Sequence, residues 1–157
     1  MTPNEARAVI VAEARSWVGT PYHIRGRVKG AGADCGSLPL SIVVNCGLIS
    51  DEQLEVYSID CWQQWKDEKY LAHVMRHTEK VMEAIAYRST KILPGCLVLT
   101  RAAGSKVFNH SGIVTEWPLL VHAVMPKVEE TDATAHRLWA YRPIEVFDFI
   151  KVGDVRR

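Results

Sequence analysis

Residues 32–48 read Gly32-Ala33-Asp34-Cys35-Gly36-Ser37-Leu38-Pro39-Leu40-Ser41-Ile42-Val43-Val44-Asn45-Cys46-Gly47-Leu48, and the fold turns on how this stretch is parsed. Asp34 is an N-cap residue type, Pro39 fits a helix only in its first turn, and Gly47 is a stop signal. The apolar run between them is therefore a buried helix over about residues 35–46, with Cys35 at or just before its first turn. Upstream, Thr2-Pro3-Asn4-Glu5 has the form of a capping box with proline at the first helical position. Val9, Ile10, Ala14 and Trp17 follow at helical spacing, interrupted by Glu13, and Gly19 closes the pattern. A first helix over about residues 3–17 results.

Downstream the pattern changes. Residues 51–90 are more polar, and Trp62, Trp65, Tyr70, Leu71, Val74 and Met75 predict a helix across about residues 62–77. Beyond Ile92-Leu93-Pro94-Gly95, the runs 96–100, 111–115 and 119–124 are short and strand-like. The last two join across Trp117-Pro118 as a hairpin, and further strands are expected at 137–142 and 145–150. Helices first and strands afterwards predict an α+β domain, with N-terminal helices packed on an antiparallel sheet of about four to six strands.

The 157 residues suit one domain, 1–157, large enough to fold without a disulfide or metal staple. Hydrophobic residues at 48% and charged residues at 24% exclude a disordered chain. The net charge of +1 lacks the basic excess of a nucleic-acid binder, so no nucleic-acid partner is expected. No apolar run approaches the ~18 residues a membrane helix needs, and no membrane insertion is expected. The first residues lack the basic start and apolar run of a secretory signal, which predicts a protein made in the cytoplasm. Cysteines at 35, 46, 61 and 96 show no CxxC spacing and read as reduced thiols.

A cysteine at a helix start is placed to become a thiolate, because unpaired N–H groups and the helix dipole favour the anion. Lowering a thiol from ~8.5 to ~6.5 takes about 2.7 kcal/mol, whereas the dipole supplies ~0.3–1 and at most ~2. Cys35 therefore needs a cationic partner, most naturally one of the histidines at 23, 73, 77, 110, 122 and 136. His110 opens one predicted strand and His122 lies in the next. With Trp117 near the hairpin apex, His122 faces Gly112 and shares a sheet face with His110. The diagonal brings the imidazoles into range, one as base and the other as its orienter, with Gly112 leaving that face open. Cys46, Cys61 and Cys96 read as small core residues. His73 and His77 have metal-ligand spacing but no HExxH glutamate, and neither metal nor organic cofactor is expected. Residues 19–34 form a glycine-rich loop carrying Arg25, Arg27 and Lys29, a rim suited to an anionic substrate.

Trp17-Val18-Gly19-Thr20-Pro21-Tyr22, then Gly32-Ala33-Asp34-Cys35-Gly36 opening a helix, resembles the NlpC-type cell-wall cysteine peptidases. Pro94-Gly95-Cys96-Leu97-Val98, His110-Ser111-Gly112-Ile113-Val114 and Val121-His122-Ala123 match that family's later blocks in the same order. The long loop before Cys35, Gly47-Leu48-Ile49 after the helix and the Trp117-Pro118-Leu119 tip resemble the subgroup encoded by tailed phages and prophages. The resemblance implies a papain-like α+β fold and a thiol peptidase cleaving peptidoglycan stem peptides, usually between D-glutamate and a diamino acid. By matching positions Cys35 is the nucleophile, His110 the general base and His122 the polar residue that orients it. Tyr22 stands beside the cysteine near the oxyanion site, with Asp34, Gly36, Arg25 and Arg27 contributing to substrate binding.

The chain departs from the family in two places. Cys35-Gly36-Ser37 stands where Cys-Ser-Gly is common, and Cys96 replaces a common aspartate. A phage-tail position implies other tail proteins as partners and the virion as a location, with release at lysis as the other route to the wall. Three alternatives stay open: a tail assembly protein on the same fold with little hydrolytic activity, an acyltransferase or amidase on the same scaffold, and a zinc protein built from Cys and His residues.

Overall fold

A computed structural model describes residues 1–50, 69–76, 78–82, 91–102 and 104–150. Cys61, Trp62, Trp65 and His77, and with them half of the helix expected at 62–77, lie outside the described residues.

Helix α1 spans Pro3–Ser16 and starts with the expected capping box, Thr2 Oγ1 accepting from Glu5 N and Glu5 Oε2 accepting from Thr2 N. Its inward face is Ala6, Ile10 and Ala14, continued by Trp17, while Val9 is 40% exposed. The stripe thus sits slightly to one side of its expected position. Glu13 does not interrupt it. Its Oε1 accepts from Trp17 Nε1 at 2.9 Å, Asn45 Nδ2 at 2.8 Å and Lys29 Nζ at 2.8 Å. This half-buried carboxylate ties α1 to the helix that follows and to the glycine-rich segment between them.

That segment is more ordered than its composition suggests. β1 (Arg27–Val28) and β2 (Gly32–Ala33) pair antiparallel as a small hairpin. Gly26 lies so close to it that a Cβ there would stand 2.5 Å from the Gly32 carbonyl carbon. Helix α2 follows at Leu38–Asn45 and α3 at Lys69–Met75.

The remaining strands are β3 (Glu79–Met82), β4 (Leu97–Thr100), β5 (His110–Glu116), β6 (Leu119–Ala123), β7 (Val128–Asp132) and β8 (Ile144–Asp148). They form one six-stranded sheet in the order β3-β8-β4-β5-β6-β7, antiparallel at every pairing. The period of two sorts the apolar side chains onto both faces. Leu97, Leu99, Ile113, Val121 and Phe147 pack with Ile10, Trp17, Leu38 and Ile42 of the helical layer. Cys96, Val98, Val114, Leu120 and Val146 pack on the other face against Trp139 and Ile144. No helix of the described residues is long and apolar enough to cross a membrane.

The strand expected at 137–142 is absent. Residues 133–141 form turns that carry Trp139, 1% exposed, onto the sheet. The strand lies instead at β7, whose Val-Glu-Glu-Thr-Asp composition argues against a strand by propensity. Five residue pairs with β6, from Leu119↔Asp132 to Ala123↔Val128, override that preference.

Candidate active site

The turn before α2 sets the position of Cys35. Asp34 Oδ1 accepts from Gly36 N at 3.0 Å and Ser37 N at 2.8 Å, so Asp34 closes the turn that precedes α2, whose N-cap is Ser37 and not Asp34 as expected. Its Oδ2 accepts from Arg25 N at 2.6 Å, where the backbone holds φ at 60°. Asp34 is 1% exposed and acts on the site by fixing both the cysteine turn and the loop that precedes it.

Regular helix begins only at Leu38, three residues beyond the expected start, and Pro39 supplies a reason. The Cys35 carbonyl would take the N–H four residues on, which proline lacks. Ser111 Oγ of β5 donates to that carbonyl instead, at 2.5 Å. On the other side of His110, Asn109 O accepts from Cys35 Sγ at 3.7 Å. Asn109 is itself fixed to the end of β4, its N donating to Thr100 O and its Oδ1 accepting from Ala102 N. The cysteine is therefore bound to the residues on both sides of the histidine.

The hairpin register also follows expectation. Ile113 pairs with Val121, which sets Gly112 opposite His122. His110 Nε2 and His122 Nδ1 lie 2.8 Å apart, with the rings T-shaped. The space over Gly112 is not open, however. A Cβ there would meet Leu120 Cδ1 at 2.9 Å and Trp139 Cζ2 at 3.2 Å. The missing side chain admits the indole, whose Nε1 donates to His122 Nδ1 at 3.2 Å.

Beyond His122 stand two residues that sequence reasoning missed as site residues. His122 Nε2 and His136 Nε2 each lie 3.1 Å from Glu129 Oε1. His136 was visible as one of six histidines, but nothing in the sequence paired it with Glu129. Burial pushes His122 down to about 4, the Glu129 carboxylate only partly opposing it. At neutral pH the contact is therefore a neutral imidazole donating to a carboxylate and not an ion pair. Burial, with the charges of His122 and His136, also holds His110 well below the ordinary histidine value, so it is a neutral base.

His122, Glu129 and His136 place their ligand atoms within 4.8 Å of one another, close enough for a metal ion. The hydrogen bonds oppose that use. A metal-bound histidine turns its other ring N–H toward an acceptor, but here both Nδ1 atoms face donors, Trp139 Nε1 on His122 and Leu138 N on His136. The protons are kept on the Nε2 atoms, the positions a metal would take. His77 of the other spaced pair lies outside the described residues.

Tyr22 is half-buried and held beside the cysteine turn. Its N donates to Pro126 O, and its neighbours pair with Ala33 through Ala33 N to Pro21 O and His23 N to Ala33 O. Burial, followed by the nearby Cys35 and Asp34, pushes its phenol up, leaving a protonated donor. Arg25 and Arg27 are exposed on the hairpin, whereas Lys29 is drawn to Glu13. Burial pushes Cys46 and Cys96 up to about 11 each, in keeping with inert core thiols.

The sequence matches no protein-family model and no curated protein. Its fold is shared with solved structures of NlpC/P60 proteins. A lipoprotein-like NLP/P60 protein of Staphylococcus aureus aligns with a TM-score of 0.61 at 19% identity, over 96% of this chain and 43% of its own. The NlpC/p60 domain of the peptidoglycan hydrolase SagA gives 0.58 at 16% identity, over 89% of this chain and 97% of its own. RipD of Mycobacterium tuberculosis, described as a non-catalytic NlpC/p60 domain protein adapted to peptidoglycan binding, gives 0.50 at 13%, over 92% and 98%. The chain thus spans under half of the staphylococcal protein and nearly all of the other two. At these identities the likeness establishes the papain-like α+β fold.

Proposed function

We propose that this chain is an NlpC-type cysteine hydrolase that cleaves peptidoglycan stem peptides, with Cys35 as nucleophile, His110 as base and His122 as orienter. One observation carries the reading: His110 is hydrogen-bonded to His122 at 2.8 Å while Cys35 is bound to Asn109 and Ser111 on either side of that histidine. The solved structures of the same fold include a peptidoglycan hydrolase domain, which supports the substrate class.

In the proposed cycle, His110 takes the Cys35 thiol proton on Nδ1 as Sγ attacks the peptide carbonyl. Collapse of the tetrahedral intermediate expels the amine, which receives that proton from His110. Water, deprotonated by His110, then hydrolyses the thioester and regenerates the thiol. The Tyr22 hydroxyl suits donation to the carbonyl oxygen as charge develops there. Exposed Arg25 and Arg27 suit the carboxylates of a stem peptide. No step requires a metal or organic cofactor. The proposal includes delivery by a phage tail or release at lysis, and absence of the protein from purified virions would rule out the tail route.

Purified sacculi incubated with the protein test the chemistry directly. Mass spectrometry should show a new amine and a new carboxylate, a net addition of water, and Cys35→Ala should abolish both. A product carrying another acceptor in place of water would indicate acyl transfer. Wall binding without cleavage would favour a second reading, a binding or assembly protein. The burial of Cys35 and His110, each 6% exposed, favours that alternative.

A further inference from the structure

The hydrogen bonds around the two site histidines dictate where every proton lies, and they end on a carboxylate. Trp139 Nε1 can only donate, so His122 Nδ1 is an acceptor and its proton sits on Nε2, facing Glu129 Oε1 at 3.1 Å. The single lone pair of His122 Nδ1 is then shared between Trp139 Nε1–H and His110, which places the His110 proton on Nε2 across the 2.8 Å contact. The one remaining ring nitrogen, His110 Nδ1, is left with its lone pair. His136 makes the assignment of Glu129 firm. Leu138 N donates to its Nδ1, so its Nε2–H also points to Glu129 Oε1.

We propose that Glu129, steadied by His136 and read through a Trp139-locked His122, is a positioning residue that fixes the His110 tautomer and supports its protonation. The relay runs from Glu129 through His122 to His110, and its catalytic meaning rests on the cysteine hydrolase reading above. Burial opposes a charged His110, as do the neighbouring His122 and His136; the Glu129 carboxylate, one imidazole away, is placed to offset them when His110 takes the Cys35 proton. Glu129 is linked to His110 through a single imidazole, so its charge favours the imidazolium. Across one hydrogen-bonded imidazole this corresponds to about a three- to tenfold effect on thiolate population. Position 129 is half-buried on an outer strand, so Glu129→Gln keeps shape and removes only charge.

Two measurements on the intact protein test this. Imidazole nitrogen-15 shifts at pH 7 should show Nε2-protonated, Nδ1-unprotonated tautomers for His110, His122 and His136, and an Nδ1 proton on His110 or His122 would overturn the relay. Alkylation of Cys35 against pH should then slow by about three- to tenfold near pH 6.5 in Glu129→Gln, with little change in melting temperature. A lower melting temperature with an unaltered alkylation profile would reduce Glu129 to a structural residue. Stoichiometric zinc binding that disappears in Glu129→Gln would also overturn the proposal, because a metal needs the Nε2 atoms free. The underlying reading fails separately: wild-type Cys35 that alkylates no faster than Cys46 and Cys96, and ignores His110→Ala, removes the hydrolase and leaves the tautomer result standing.

Discussion

Asp34→Asn is the most informative single change near the nucleophile, because it alters charge and one donor while keeping shape. Asp34 Oδ1 serves Gly36 N and Ser37 N, and Oδ2 serves Arg25 N at 2.6 Å. An asparagine that keeps its oxygen toward the cysteine turn must set its NH2 against the Arg25 N–H, two donors in contact. The flipped amide is worse, with donors facing two backbone N–H groups. At 1% exposure water offers no relief. Losing the charged acceptor and stranding the Arg25 N–H is one penalty of about 1.5–3 kcal/mol, so about 2–3 kcal/mol is expected overall. For 157 residues that is a fall in melting temperature of about 4–12 °C. Calorimetry measures it, with Glu116→Gln at an exposed site as a control expected within about 0.5 kcal/mol. Cys35 alkylation followed on the same samples reports whether the turn has moved. A variant melting within about 2 °C of the parent would refute the view that this charge holds the loop and the cysteine turn together.

Three further outcomes are expected. Gly112→Ala forces a Cβ to within 2.9 Å of Leu120 Cδ1 and 3.2 Å of the Trp139 ring and the Val121 carbonyl oxygen, and should destabilise by about 1–3 kcal/mol in chemical denaturation. An unchanged midpoint would show that the indole has room to spare. Ser111→Ala removes the donor to the Cys35 carbonyl at a cost of about 1–3 kcal/mol. Adding Pro39→Ala supplies a helical N–H and should recover part of it, whereas strict additivity would break the link drawn between proline and serine. Stability should also fall in mild acid, because His122 titrates near 4 when folded and near 6.5 when unfolded. The unfolded chain then binds more protons between those values, so the contribution is full above pH 6.5 and is lost as pH drops toward 4. His122 alone accounts for about 2 kcal/mol at pH 5. A melting temperature that stays constant from pH 7 to pH 5 would contradict the buried neutral histidines.

The sequence was most informative where local chemistry dominates. The Thr2–Glu5 capping box and the hairpin register that pairs Gly112 with His122 both depend on neighbours close in the chain. Glu13 illustrates the opposite case. It looks like a flaw in the α1 stripe, yet Asn45 and Lys29 from later segments make it a hub. Strand β7 was hidden by its own acids, since only the partner β6 makes Val-Glu-Glu-Thr-Asp a strand. Because β7 was missed, so was Glu129. Trp139 was read as part of a strand, when it belongs to a turn that delivers the indole over a glycine 27 positions earlier. Such contacts join residues distant in the chain, and no local period or propensity encodes them.

Strand β7 has a consequence for how the protein coexists with its own copies. It lies at one margin of the six-stranded sheet, where unpaired backbone groups could recruit a second chain. Its first part is already occupied: Val128 N donates to Thr20 O, and Val128 O accepts from Gly19 N. The rest carries Glu130 and Asp132, one held by Arg15 and Thr115 and the other turned onto Thr134. Two copies brought together along β7 would bring like charges together at the part of that strand beyond Val128. The acidic composition that disguises this strand in the sequence therefore also disfavours growth at this margin of the sheet, and the same strand carries Glu129 to His122.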